Sequence, residues 1–319
     1  MIPAVSLVSD RTLTARGDGI HLTAAELIAL RPRCNALRLP MRQPAASALA
    51  GAYRSRFRGR GVDFLESRIY QPGDDIRNMD WRVTARTGKA HTKVFQEERE
   101  RPVLMVLDAS PSLYFGTRRR LKSVAAGQLA ASVAWSAVRR GDRIGGFLFA
   151  PGRHRELRPA GGRRGAMRMI QSLVDWLQPA PDERQATPLS AALKRVRHAA
   201  RPGSLVVIIS DFFSLDEDCN RHLSRLRKHN DVIGCQVLDR SEHELPDGRY
   251  PISDGHVSSI IDTGQSADRQ RFRQMSLQHL EAPRRLFQRH QCGWMVMYTD
   301  DDPVDLLGRE LRILVGRPV

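Results

Sequence analysis

The chain has little of what marks many functional classes. Its four cysteines, Cys34, Cys219, Cys235 and Cys292, lie far apart and form no Cys-x-x-Cys pair. That spacing argues against a disulfide scaffold or a structural zinc site and suits reduced thiols in a cytoplasm. Aromatic residues amount to only 6%, which leaves little material for base-stacking platforms. The longest uncharged stretch, Ser123 to Val138, contains Gly127, Gln128 and three serines. It is too short and too polar to cross a membrane and reads as a buried helix. No signal peptide is visible, because Asp10, Arg11, Arg16 and Asp18 interrupt the N-terminal segment. Gly88-Lys89-Ala90 lacks the upstream glycine and the hydroxyl residue of a phosphate-binding loop. No Gly-x-Ser-x-Gly elbow is present for a hydrolase.

Lysine is rare as well: Lys89, Lys93, Lys122, Lys194 and Lys228 are the only five among 51 basic residues. Arginine therefore carries the formal net charge of +16. Such a surface binds phosphate through counterion release, or an acidic protein equally well. Arginine dominance throughout is also what a biased genome composition produces. With 41% hydrophobic and 27% charged residues over 319 positions, the chain is a soluble globular protein of two domains.

The most informative segment is Val103-Leu104-Met105-Val106-Leu107 followed by Asp108-Ala109-Ser110-Pro111-Ser112. An all-apolar run of that length bounded by turn residues reads as a strand buried on both faces. Oxygens at alternate positions after it would stand at the strand's carboxyl end, where ligands bind in open α/β sheets. A second such strand, Leu205 to Ser210, ends in Asp211, and Thr187-Pro188 reads as a helix N-cap followed by a first-turn proline. Singly, each is an ordinary turn or cap residue. Together, Asp108, Ser110, Ser112, Thr187 and Asp211 give a hard-oxygen set suited to Mg²⁺, or to Mn²⁺ or Ca²⁺.

Thr23 to Glu26 has capping-box spacing and opens a short helix ended by Pro32. Arg54, Arg56, Arg58 and Arg60 alternate in a small, Gly-containing segment; a solvated basic arm is a simpler reading than an anion groove. The Pro72-Gly73 turn leads into Asp74, Asp75, Arg77, Asp80 and Trp81. Ion pairs of these carboxylates with Arg77 and Arg82, fixing a loop, are favoured over metal ligation. From Val103 onward strands alternate with helices, which predicts an α/β, doubly wound, mostly parallel sheet covered on both faces. The predicted boundary separates a smaller N-terminal, β-containing region, 1–101, from the α/β domain, 102–319.

Residues from about Gly51 to Ala150 resemble the bacterial family known as domain of unknown function 58, von Willebrand factor A-like proteins associated with MoxR AAA+ ATPases. The resemblance is carried by Arg56-Phe57-Arg58-Gly59-Arg60-Gly61, Tyr70-Gln71-Pro72-Gly73-Asp74-Asp75-Ile76-Arg77, Asp80-Trp81-Arg82, Thr84-Ala85-Arg86, Glu97-Glu98, Leu107-Asp108 and Phe115-Gly116-Thr117-Arg118. It implies a von Willebrand factor A-like (Rossmann-type) fold. It also implies that Asp108, Ser110 and Ser112 match the first segment of a metal-ion-dependent adhesion site, with Thr187 and Asp211 fitting the second and third. In such sites an open metal position accepts a carboxylate from a client protein. The expected function is thus a cytoplasmic, non-enzymatic interaction module serving a MoxR-type AAA+ ATPase, with the basic arm and the Asp74–Trp81 loop as partner-contact candidates. The alternatives are a Mg²⁺-dependent phosphoester hydrolase, for which no general base is evident, or a nucleic-acid-binding protein.

Overall fold

The computed structural model describes residues 17–39, 62–97, 100–178, 187–253 and 258–315. Arg54, Arg56, Arg58 and Arg60 lie outside the described residues. The chain divides into two units: Gln43–Glu100 on one side, Met1–Arg42 with Arg101–Val319 on the other.

In chain order the elements are α1 (Ala24–Ala29), β1 (Val62–Ile69), α2 (Trp81–Thr87), β2 (His91–Glu97), β3 (Pro102–Asp108), α3 (Lys122–Arg139), β4 (Arg143–Ala150), β5 (Arg153–Ala160), α4 (Gly162–Trp176) and α5 (Leu189–Ala199). They continue as β6 (Leu205–Ser210), α6 (Asp218–Arg227), β7 (Asp231–Leu238), β8 (Arg249–Ser253), β9 (Ser258–Asp262), α7 (Ser266–Arg289), β10 (Gly293–Tyr298) and α8 (Pro303–Val315).

The smaller unit pairs β1 with β2 antiparallel. Its signature loop is held by its own side chains. Asp74 accepts from Arg68 Nη2 at 2.7 Å and from the Gln71 amide at 2.9 Å. Asp75 caps a turn through the Arg77 amide. Asp80 accepts from Ser67 Oγ at 2.6 Å and caps α2 through the Val83 amide. These carboxylates fix the loop, although the ion pair falls to Arg68 rather than to Arg77 or Arg82. Trp81 is 66% exposed.

In the larger unit the sheet order is β10-β7-β6-β3-β4-β5, with β5 antiparallel at one edge and the other strands parallel. Counted along this sheet alone, that is the order 3-2-1-4-5-6 of the doubly wound fold, as expected. Apolar alternation sets the two faces. Val103, Met105 and Leu107 of β3 pack into a cluster with α3, α4 and α8, whereas Leu104 and Val106 pack into one with α5, α6 and Phe287 of α7. The predicted hairpin partner near Arg155–Leu157 is β5, and the irregular stretch after Asp239 contains the β8–β9 hairpin.

The N-terminal helix, expected to belong with the basic region 1–101, packs instead on the larger unit. Leu27 is fully buried, and Trp135 Nε1 of α3 donates to its carbonyl at 2.9 Å. Only half of the expected capping box forms: Thr23 Oγ1 accepts from the Glu26 amide, while the Glu26 carboxylate turns to Gln128 Nε2. Leu27→Ala is expected to destabilise the protein by about 2–5 kcal/mol through lost transfer energy and a cavity. A urea unfolding curve with a lower midpoint checks this. An unchanged midpoint would show that residues 17–39 are dispensable to the core.

Candidate metal and partner-binding site

The strand order reverses between β3 and β6, so the loops after these two strands leave in opposite directions and a crevice opens at their carboxyl ends. Asp108 ends β3 with no solvent exposure. Its Oδ1 accepts from the Ser110 amide and hydroxyl, and its Oδ2 accepts from Ser210 Oγ at 2.7 Å. Pro111 biases Ser110 to extended geometry, seen as φ −65° and ψ 155°, which turns the loop back over the carboxylate. Ser112, one turn on, makes no hydrogen bond to another described residue.

Thr187 does not cap α5 as expected: Pro188 occupies the N-cap position, with no side-chain capping bond. Its hydroxyl donates to the Ala150 carbonyl at 3.0 Å instead. That bond places it at the carboxyl end of β4, the strand paired with β3. Asp211, directly after β6, is fully buried and bonds Lys122 Nζ at 3.0 Å through Oδ2. The five sequence candidates thus stand on adjoining strand ends.

Sequence reasoning missed the counter-charge. Lys122 is fully buried and also bonds Glu242 Oε1 at 2.7 Å. Burial alone would lower its pKa, but Asp211 and Glu242 together outweigh that and raise it. It opens α3 as the first helical residue, where a cation opposes the helix dipole. A lysine at a helix start, in a chain that otherwise uses arginine, was the available signal.

Of three neighbouring carboxylates, Asp211 and Glu242 share the Lys122 ammonium. Asp108 is left with neutral donors only. Burial, then the charge on Asp211, push its carboxyl up to about 6. A buried carboxylate without a cation is what a bound positive ion relieves. The donor chemistry fits as well. The Ser110 and Thr187 hydroxyls give their protons to Asp108 and to Ala150, so only their oxygen lone pairs remain to be offered. Among the described residues no group of three or more His, Cys, Asp or Glu side chains is arranged to hold a metal. A cation here would rely on hydroxyl oxygens, which suits a hard divalent ion. Asp108, Ser110, Ser112, Thr187 and Asp211 would hold it directly or through water.

The surrounding loops are tied by a fourth carboxylate. Asp239, after β7, accepts from Thr117 N at 2.9 Å, Thr117 Oγ1 at 2.5 Å, Ser241 N at 3.0 Å, Ser241 Oγ at 2.7 Å and Thr299 Oγ1 at 2.7 Å. Burial would raise its pKa, but the Thr117, Thr299 and Ser241 bonds outweigh that and hold it well below the usual carboxylate range. A nearby imidazole, His279, also belongs to this region. His279 lies against Phe213, and burial pushes it down to about 4, far from a neutral operating pH.

Because the folded pKa of Asp239 lies below its unfolded value of about 3.9, these bonds stabilise the fold above that pH. The contribution is lost as pH falls through the folded value. Asp239→Ala is expected to cost about 2–4 kcal/mol at pH 7 by stranding buried donors. Urea titrations of both proteins should show the gap narrowing steadily below about pH 4. A gap independent of pH would contradict this account.

A family model described as "Protein of unknown function DUF58" matches residues 66–282. The uncharacterized protein Rv1480 of Mycobacterium tuberculosis (strain ATCC 25618 / H37Rv) is 34% identical over 211 residues, 66% of this chain and 66% of that protein. The uncharacterized protein Mb1516 of Mycobacterium bovis (strain ATCC BAA-935 / AF2122/97) matches at the same 34% over the same shares. The match thus spans just under two thirds of these relatives' own length. Among solved structures, the conserved hypothetical protein BatB from Bacteroides thetaiotaomicron is similar with TM-score 0.46 and 13% identity, covering 68% of this chain and 100% of that one. A von Willebrand factor type A structure from Catenulispora acidiphila gives TM-score 0.41 and 13% identity, covering 70% and 43%. The α/β unit has the doubly wound, mostly parallel sheet that was expected. With more than half of its residues matched by that family's model, the chain belongs to the DUF58 family.

Proposed function

We propose that this protein is a non-enzymatic, divalent-metal-dependent interaction module that binds a carboxylate of a client protein at the β3–β6 crevice. The observation that carries the reading is the charge imbalance there: three carboxylates against the single Lys122 ammonium, with Asp108 served by neutral donors alone. A bound Mg²⁺ would supply a Lewis-acidic position for an incoming carboxylate oxygen. The protein's own groups act around that position. Ser210 and Ser110 orient Asp108, Lys122 holds Asp211, and the Asp239 network fixes the loops. A MoxR-type AAA+ ATPase, working with this module in protein maturation or assembly in the cytoplasm, is the partner class that the family membership suggests. No helix among the described residues is long and apolar enough to cross a membrane. All four cysteines are free and buried, which agrees with a reducing compartment.

Saturating Mg²⁺, at about 100 times its dissociation constant, is expected to stabilise the wild type by about 2.7 kcal/mol. Asp108→Ala should abolish that gain while leaving the protein folded. Thermal melts with Mg²⁺ and with EDTA read both effects. A pull-down from native lysate under the same two conditions should then retain an AAA+ ATPase only with Mg²⁺ and only with Asp108 present. Identical melts in Mg²⁺ and EDTA would sink the metal reading. A main catch of nucleic acid would move the function to the basic surface.

A further inference from the structure

Two aromatic side chains stand out on the rim of the crevice. Phe115, on the loop that carries Ser110 and Ser112, is 42% exposed, and Phe213, two residues after Asp211, is 55% exposed. The loops come from different strands, yet both rings lie near one buried atom: Lys122 Nζ is 5.9 Å from the Phe115 centroid and 5.1 Å from that of Phe213. Both rings therefore lie beside the ammonium that holds Asp211, one of the candidate site residues.

The exposure of Phe213 is built into the backbone. Phe212 has φ +62°, a left-handed conformation that a bulky residue adopts only where its surroundings enforce it. The Phe212 amide bonds Ser210 Oγ at 2.8 Å, and the Phe213 amide bonds Asp211 Oδ1 at 3.2 Å. The turn that shapes the ligands thus also sets the two rings. Phe212 goes inward, 2% exposed, onto Phe287 and Trp294 with centroids 5.5 and 5.2 Å away. Phe213 is turned out and rests on His279 at 3.8 Å with an interplanar angle of 15°. A relaxed turn could have covered this ring, yet more than half of it faces solvent.

We propose that Phe115 and Phe213 form a two-ring apolar clamp that grips a bulky aliphatic side chain adjacent to the acidic residue of a partner polypeptide. This rests on the reading of the crevice as a carboxylate-binding metal site. Arg119 is exposed on the Phe115 loop, next to Arg118, which reaches Asp300 at 3.6 Å, so cationic side chains border the Phe115 ring. The apolar part of the occupant follows from the rings, because exposed aromatics beside a polar anchor are the usual centre of binding energy at protein interfaces. A nucleobase would need an open ring face, and His279 already covers one face of Phe213.

The test uses the full chain in Mg²⁺ and three probes followed by NMR titration: acetyl-Leu-Glu-Leu-amide, acetyl-Gly-Glu-Gly-amide and a short oligothymidylate. The leucine peptide should bind at least tenfold more tightly than the glycine peptide. Phe213→Ala, and separately Phe115→Ala, should bring the two peptides within about twofold, with glycine-peptide binding unchanged and the melting temperature checked for each variant. Equal binding of both peptides to wild type, still Mg²⁺-dependent, overturns the clamp and leaves the metal site standing. Binding of neither peptide by a protein that does bind Mg²⁺ overturns the clamp and the carboxylate reading together. Oligothymidylate binding that is lost with Phe213→Ala replaces the peptide by a nucleic acid.

Discussion

Bringing charge to the switch point of a parallel sheet is the constraint around which the larger unit is organised. Away from water an unpaired carboxylate costs several kcal/mol, and four of them gather here. Each is compensated differently. Asp239 is surrounded by amides and hydroxyls, Asp211 and Glu242 share the Lys122 ammonium, and Asp108 receives only neutral donors. Lys122 in turn sits where a helix N-terminus repels it, so its place depends on the same two carboxylates. The β3–α3 loop, the β6–α6 turn and the segment after β7 are thereby one electrostatic unit, although the first lies far from the other two in sequence.

Much of the architecture was legible because period and run length report burial directly. An apolar run such as Val103–Leu107 has to be covered on both faces, and the alternation with helices leaves a parallel sheet as the economical arrangement. The ligand candidates were legible for the same reason, since they follow those runs. What escaped was long-range and polar. Nothing in the local pattern tells that Lys122 reaches Asp211 and Glu242, or that Asp239 gathers Thr117 and Thr299. Thr187 shows the limit from the other side: the Thr-Pro pattern fits a cap, yet the hydroxyl goes to a carbonyl across the crevice. The residues 17–39 were misplaced because a short amphipathic helix gives no hint of which core it joins.

The smaller unit follows a different economy. Asp74, Asp75 and Asp80 each satisfy an amide or a neighbouring side chain within their own loop, so the density of acid there holds a turn in shape. Beside its exposed polar residues, this region also presents Ile69, Ile76 and Trp81 to solvent.

Strand β5 closes the sheet at one edge with Arg153, Arg155 and Arg158, and the guanidiniums of Arg153 and Arg155 lie over the Trp176 ring at 4.9 and 5.9 Å. A bare edge strand is a template for accretion by foreign chains. Here each approaching copy would meet the same cations, anchored by their stacking and unable to swing aside freely. Repeated arginines along β5 therefore oppose pairing of two copies through that edge, even with Arg155 tied to Asp175 at 3.2 Å.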